Sequence, residues 1–238
     1  WEGTGQLPPE GAEIPVLRDG QQVAGLTARF SLQGMQASGG LPLQPGMATL
    51  VLRLAQPLPA GEVTVVCGSQ TIARWQTRGT DLVGPEPLLI PPQATLALHV
   101  DHYALAEVPV SAVIIESYHP ASPVAQVDDA VPDGAVLVEA EAFADAGGPA
   151  VKVDPGSHYD EHGGASVYNF TGDGAWLQWT LNVPQTGRYD LYARISCGSE
   201  RAFRAITVDG ASPPGLGLVE FPGTGGWGHG PGEWQLVR

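Results

Sequence analysis

Lysine is all but missing from the 238-residue chain: Lys152 is the only one, and arginine supplies the rest of the 11 basic residues. Against them stand 25 Asp and Glu, so the net charge is −14. A polyanion is repelled by phosphate backbones, which excludes nucleic acid as a main partner. Long apolar runs are also missing. None approaches the roughly 20 residues that a membrane-spanning helix needs. Cysteine occurs only as Cys67 and Cys197, too few for a disulfide framework. The two read either as buried thiols or as one bridge between domains. A helical apolar stripe of period 3.6 is absent from every stretch of about 12 residues or more. No nucleophile elbow or oxyanion motif is present. Charged residues make up only 15% of the chain and hydrophobic ones 43%, too apolar a mixture for wholesale disorder. The first residue is Trp1 and no secretory leader precedes it, as expected if a leader has been removed or the chain is an excised piece.

What the chain has is alternation. Leu26, Ala28, Phe30 and Leu32 are interleaved with Thr27, Arg29 and Ser31; Leu50, Leu52 and Leu54 with Thr49, Val51 and Arg53; Leu96, Leu98 and Val100 with Ala97 and His99. The same period-two pattern returns at Leu177, Trp179 and Leu181, and at Tyr189, Leu191, Ala193 and Ile195. Such spacing puts one strand face on a core and one in water. The 32 Gly and 22 Pro punctuate the runs as turns require. The expected class is all-β, with two β-sandwich domains. After the apolar run Val108–Tyr118, a polar, Pro-bearing stretch reads as a linker. We expect an N-terminal sandwich over 1–120, a linker over 121–133, and a second domain over 134–238.

Ordered landmarks fill the second domain. Val136-Leu-Val-Glu139-Ala-Glu141 opens it, followed by Gly163-Gly-Ala-Ser-Val-Tyr168-Asn169 and Gly172-Asp-Gly-Ala-Trp176-Leu-Gln-Trp179. Val183-Pro-Gln-Thr-Gly187-Arg-Tyr189, Val208-Asp-Gly210 and Thr224-Gly-Gly-Trp227 complete the series. This order resembles the carbohydrate-binding modules of families 6 and 35. The resemblance covers about 100 residues and leaves 1–120 without an assigned role. It implies a galactose-binding-like β-jelly roll with a structural Ca²⁺, of the kind attached to extracellular glycan-degrading enzymes. It also implies an aromatic platform at the loop end, which falls here on Tyr168, Asn169 and Trp227. The modules carry two more strands beyond the point matching Arg238, so a neighbouring domain or subunit is expected to complete the sandwich.

The residues support parts of this independently. Sugar recognition needs flat apolar faces and nearby hydroxyl partners, and Trp227 in a Gly-rich loop is hard to explain as core. Tyr168 reads equally as platform or packing, and Trp176 reads as sheet packing. On a strand, Glu139 and Glu141 at i and i+2 would share a face. Two such carboxylates repel unless a cation lies between them, and Ca²⁺ takes 6–8 oxygen ligands. His158-Tyr-Asp-Glu-His162 would bind a transition metal only if helical, and its flanking Pro and Gly residues make it a loop. His99, Asp101, His102 and Ser111 lack the accompanying motifs of a catalytic triad.

The reading is therefore a non-catalytic, secreted or cell-surface glycan-binding module in a larger polysaccharide-active or surface protein. The rival is a structural subunit of a surface, filament or virion assembly built on jelly-roll domains, without a sugar site.

Overall fold

The computed structural model describes residues 10–101, 107–128, 130–148, 151–154, 165–170, 174–213 and 216–238. It is all-β. The helical segments among the described residues are two 3₁₀ turns, Ala60–Glu62 and Pro231–Glu233. The chain divides into two units, Trp1–Ala121 and Ser122–Arg238.

The first unit contains β1 (Glu13–Arg18), β2 (Gln21–Ser31), β3 (Gly34–Gly40), β4 (Gly46–Leu54), β5 (Val63–Cys67), β6 (Gln70–Ile72), β7 (Gln76–Arg78), β8 (Asp81–Val83), β9 (Leu88–Ile90), β10 (Thr95–Asp101) and β11 (Val110–Pro120). They form one sheet in the order β6-β5-β10-β3-β2-β1-β11-β4-β8-β7, with β9 added on β4. Its two ends, β6 and β7, are consecutive in sequence, separated by Ala73, Arg74 and Trp75 alone. A flat sheet of ten strands would hold its edges about 43 Å apart at the usual strand spacing. Four residue steps reach at most about 14 Å. The sheet must therefore curl back on itself into a sandwich.

Trp75 lies on that seam. It is buried, and its indole N–H donates to the Val63 carbonyl at 2.8 Å. The Leu89 N–H on β9 donates to the Gln70 side chain on β6 at 2.6 Å, tying the two margins together. Inside, Val16, Leu26, Leu52, Val65, Ile90 and Leu98 are fully buried in one cluster. The alternating runs behave as their spacing requires: in β10, Leu96, Leu98 and Val100 are buried while Thr95 and Asp101 are exposed. Asp19 and Gly20 both have positive φ, which makes the tight two-residue turn between β1 and β2. Ser117, at φ 49°, sits where the β11–β4 register slips, as a bulge requires.

The second unit is built of shorter pieces: β12 (Ser122–Pro123), β13 (Asp145–Gly147), β14 (Lys152–Asp154), β15 (Ser166–Tyr168), β16 (Trp176–Gln178), β17 (Ala193–Ile195), β18 (Arg201–Arg204), β19 (Val219–Pro222) and β20 (Gln235–Val237). The ladders are β12-β19-β18, β13-β16, β14-β15 and β17-β20. Asp209 and Gly210, both at positive φ, close the hairpin in which Val208 and Ala211 exchange backbone hydrogen bonds.

Three local expectations differ from the structure. The stretch read as a linker is partly tied into the second unit. Ser122 and Val124 donate to the carbonyls of Leu218 and Glu220, and Ala125 exchanges hydrogen bonds with Arg238. Its Pro123 is tolerated because β12 is an edge strand. No strand forms at Val136–Glu141; Ala142 N–H donates to the Glu139 carbonyl in a turn, and pairing starts only at Asp145. The runs at 177–181 and 189–195 are strands only over Trp176–Gln178 and Ala193–Ile195. Leu181, Val183, Tyr189 and Leu191 between them stand half exposed.

Both cysteines are buried and unbridged. Burial pushes the Cys67 thiol up from its ordinary 9.0 to about 11. Between those values the unfolded chain ionises at this position and the folded chain does not. The stabilisation is thus complete below pH 9.0 and is lost as pH rises toward 11. Denaturant titrations across that window should show a fall on the order of 1–2 kcal/mol that a Cys67→Val variant lacks. An unchanged slope in the variant contradicts the assignment.

Candidate functional site

The Gly-rich loop after β19 is fastened to the segment that precedes β18. Thr224 is the buried polar residue of the described chain, and it makes the fastening. Its hydroxyl accepts from the Cys197 N–H at 2.8 Å, and its own N–H donates to the Cys197 carbonyl at 2.8 Å. Gly223 N–H donates to the Glu200 carbonyl at 2.8 Å, and the Ser196 hydroxyl donates to the Gly226 carbonyl at 3.0 Å. Buried backbone groups are therefore paired on both sides of the loop, as burial demands.

That fastening sets where Trp227 goes. The indole lies against Gly198: a Cβ there would stand 2.4 Å from the ring carbon Cε2. Only a residue without a side chain lets the ring settle so close. The rest of the indole is open, and Trp227 is 59% exposed. The loop is closed on its far side by Glu233, whose carboxylate accepts from the His229 N–H at 2.9 Å and fills the space over Gly226. Trp234 donates its indole N–H to the Gly228 carbonyl at 3.3 Å.

Tyr168 ends β15, opposite Lys152, and is 47% exposed. Asn169 follows in the left-handed region at φ 62° and is exposed. The next residue, Phe170, is held by Arg204 of β18. The guanidinium lies 4.6 Å from the Phe170 ring centroid and donates to the Phe170 carbonyl. A second hydrogen bond from the same side chain, at 2.7 Å, goes to its own strand at Phe203. Arg204 was not singled out by motif, and a cation stacked on a distant aromatic leaves no spacing to read.

These anchors do not coincide. In the β18–β19 hairpin Arg204 pairs with Val219 at one end, and Arg201 pairs with Pro222 at the other, where the Trp227 loop begins. The ladder between them is about 10 Å long, three rises of a strand.

Glu139 is exposed and Glu141 half-buried, both in the turn before β13. One Glu141 oxygen is buried without a hydrogen-bond partner. No group of three or more His, Cys, Asp or Glu assembles among the described residues. The pair can supply only part of a Ca²⁺ shell. Residues 158–162 and His102 lie outside the described residues. His99 and Asp101 meet at 2.7 Å on the surface of β10, while the Ser111 hydroxyl is engaged with the Arg53 carbonyl. Trp176, opposite Gly147 in the β13–β16 ladder, packs its indole on that glycine and is 43% exposed. Two depressions of the described surface lie in the first unit, one bordered by Val23, Leu41 and Ala94 and one by Arg18, Gln44 and Tyr118. Neither includes Trp227.

Replacing Thr224 by Val keeps the shape but leaves the buried Cys197 N–H without its partner. The expected cost is about 1–3 kcal/mol, read as a lowered midpoint in denaturant. Thr224→Ser should recover most of it, and equal stability of all three proteins would show that the hydroxyl is not the fastener.

Comparison with protein-family models, with curated proteins and with solved structures gives no match.

Proposed function

We propose that residues 122–238 bind neutral carbohydrate without acting on it, as a jelly-roll module of an extracellular polysaccharide-active or surface protein. The observation that supports this most directly is the posture of Trp227. A loop fixed by buried hydrogen bonds carries a large aromatic ring with one face on a glycine and more than half its surface open. Folding gains little from such a ring, whereas the apolar face of a sugar gains a preformed flat surface. Tyr168 and Asn169, both exposed, are the further polar partners this reading assigns to the sugar hydroxyls. The net charge of −14 favours uncharged over anionic glycans.

A Ca²⁺ held in part by Glu139 and Glu141 belongs to this reading. Its support is the unpartnered Glu141 oxygen, and such an ion would neutralise the two carboxylates and brace the turn before β13. No step of sugar binding passes through it.

A second reading, a structural subunit joined by strand addition, draws on a different observation. Leu181, Val183, Tyr189 and Leu191 alternate as a strand would, yet are half exposed and unpaired within any ladder. A neighbouring chain could cover them.

A glycan array probed with the protein, with and without EDTA, tests the proposal. Binding to neutral glycans is expected, and Trp227→Ala should weaken it by about 2 kcal/mol, roughly thirtyfold. Loss of binding and of thermal stability in EDTA is the result expected of the ion, and indifference to EDTA removes it. No glycan bound, together with discrete oligomers in light scattering, would favour the structural subunit.

A further inference from the structure

In the first unit β1 lies between β2 and β11, and both of these neighbours carry a bulge. Val16 pairs with Ala24 and Leu17 with Gln22, so Val23 of β2 has no opposite residue. Glu116 pairs with Thr49 and His119 with Met47, so Ser117 and Tyr118 of β11 stand against Ala48 alone. A bulge re-aims the side chain it carries. The side chains released here border the two depressions of this unit. Val23 borders the first, with Leu41, Pro42 and Ala94, and Tyr118 borders the second, with Arg18 and Gln44. Pro42 borders both, so the two adjoin. Asp19 and Gln93, non-glycine residues at φ 52° and 53°, lie on their margins, and Ser117 at 49° precedes Tyr118. Backbone held in that region by its surroundings gathers where ligands are clamped.

The second depression is built around a cation. The Tyr118 hydroxyl donates to the Gln44 carbonyl at 2.7 Å. The Tyr118 ring is seated on Gly46, where a Cβ would stand 2.7 Å from Cε2. The central carbon of the Arg18 guanidinium lies 5.3 Å from the centroid of the same ring. Asp19 reaches Arg18 only at Nε, at 3.6 Å, from a side chain that is 91% exposed. Nη1 and Nη2 are left without a partner among the described residues. A guanidinium stacked on an aromatic ring, with its terminal N–H groups free, is a planar fork suited to a carboxylate. The first depression has no charged residue on its border. Glu13, held by Gln22 at 2.7 Å, lies over Gly25 on its margin and repels an anion from that end.

We infer that the adjoining depressions form one binding site for a small monocarboxylate with an apolar body. Its carboxylate sits on Arg18, and its body runs over Pro42 toward Val23. The fork selects acid over amide, and the apolar depression selects a ligand with a body over one without. The site lies wholly in the first unit and is independent of sugar binding by the second.

The probes are hexanoate, hexanamide and acetate, titrated into the isotope-labelled full chain and followed by NMR. The Arg18 Nε–H and the backbone amides of Val23 and Tyr118 are the reporters. Hexanoate should shift all three and bind about tenfold or more tightly than either hexanamide or acetate. Arg18→Gln should erase the preference for acid over amide. Asp19→Asn keeps a residue that tolerates positive φ and removes the competing carboxylate, so hexanoate should bind it about threefold tighter. Gly40 borders the apolar depression, and a Cβ there meets nothing within 4 Å. Gly40→Leu therefore fills that depression without a clash and should abolish the advantage of hexanoate over acetate. Thermal unfolding of each variant checks that the fold is kept. Equal affinity for acid and amide overturns the inference, as does an acid preference that survives Arg18→Gln. So do reporters that no probe shifts, or a Gly40→Leu variant that binds hexanoate as the parent chain does.

Discussion

A single buried pairing, the Thr224 side chain and backbone against Cys197, governs the second unit's candidate site. An unpaired N–H at that depth would cost about 1–3 kcal/mol, so the loop has little freedom to choose another seat. Once Thr224 is seated, Gly226 is placed within reach of Ser196, and Trp227 is delivered onto Gly198. Glu233 then closes the loop from the other side. The exposure of the indole is a consequence of hydrogen bonds several residues away, and of a glycine where any side chain would collide with the ring.

Glycine plays this part more than once. Trp176 packs on Gly147 as Trp227 does on Gly198. In both cases one face of a broad ring is satisfied by backbone, and the other is left available. The first unit uses its tryptophan differently. Trp75 is buried with its N–H paired to Val63, at the seam where a ten-strand path bends until its ends meet. The ring at the seam is buried and hydrogen-bonded, whereas the two exposed rings are backed by glycine.

Period-two alternation was sufficient to recognise the strands of the first unit, because Leu26, Ala28, Leu96, Leu98 and Val100 all face a core large enough to bury them. It overreached in the second unit. Leu181, Val183, Tyr189 and Leu191 alternate equally well, but alternation records only that a strand could form, and a ladder also needs a partner strand. At Glu139 and Glu141 the same rule placed both acids on one strand face, whereas the chain turns there through the Ala142 to Glu139 hydrogen bond. Composition misread residues 122–127 for a related reason. Pro and small polar residues suit linkers, but they also suit an edge strand that offers few donors. Within the site, the Gly-rich setting of Trp227 was visible in the sequence. The roles of Gly198, Thr224, Glu233 and Arg204 were not, since each depends on a partner far away along the chain: Thr224 lies 27 residues from Cys197, and Arg204 lies 34 from Phe170.

The central claim is that the open face of Trp227 is the surface on which a ligand rests. Hydroxyl-radical footprinting of the full chain, with and without a bound neutral oligosaccharide, addresses it at the level of one residue. The account predicts that Trp227 is readily oxidised in the free protein and becomes protected when the sugar binds, while buried Trp75 stays unreactive in both. Trp227 resistant to oxidation in the free protein, or equally oxidised with sugar bound, would contradict it.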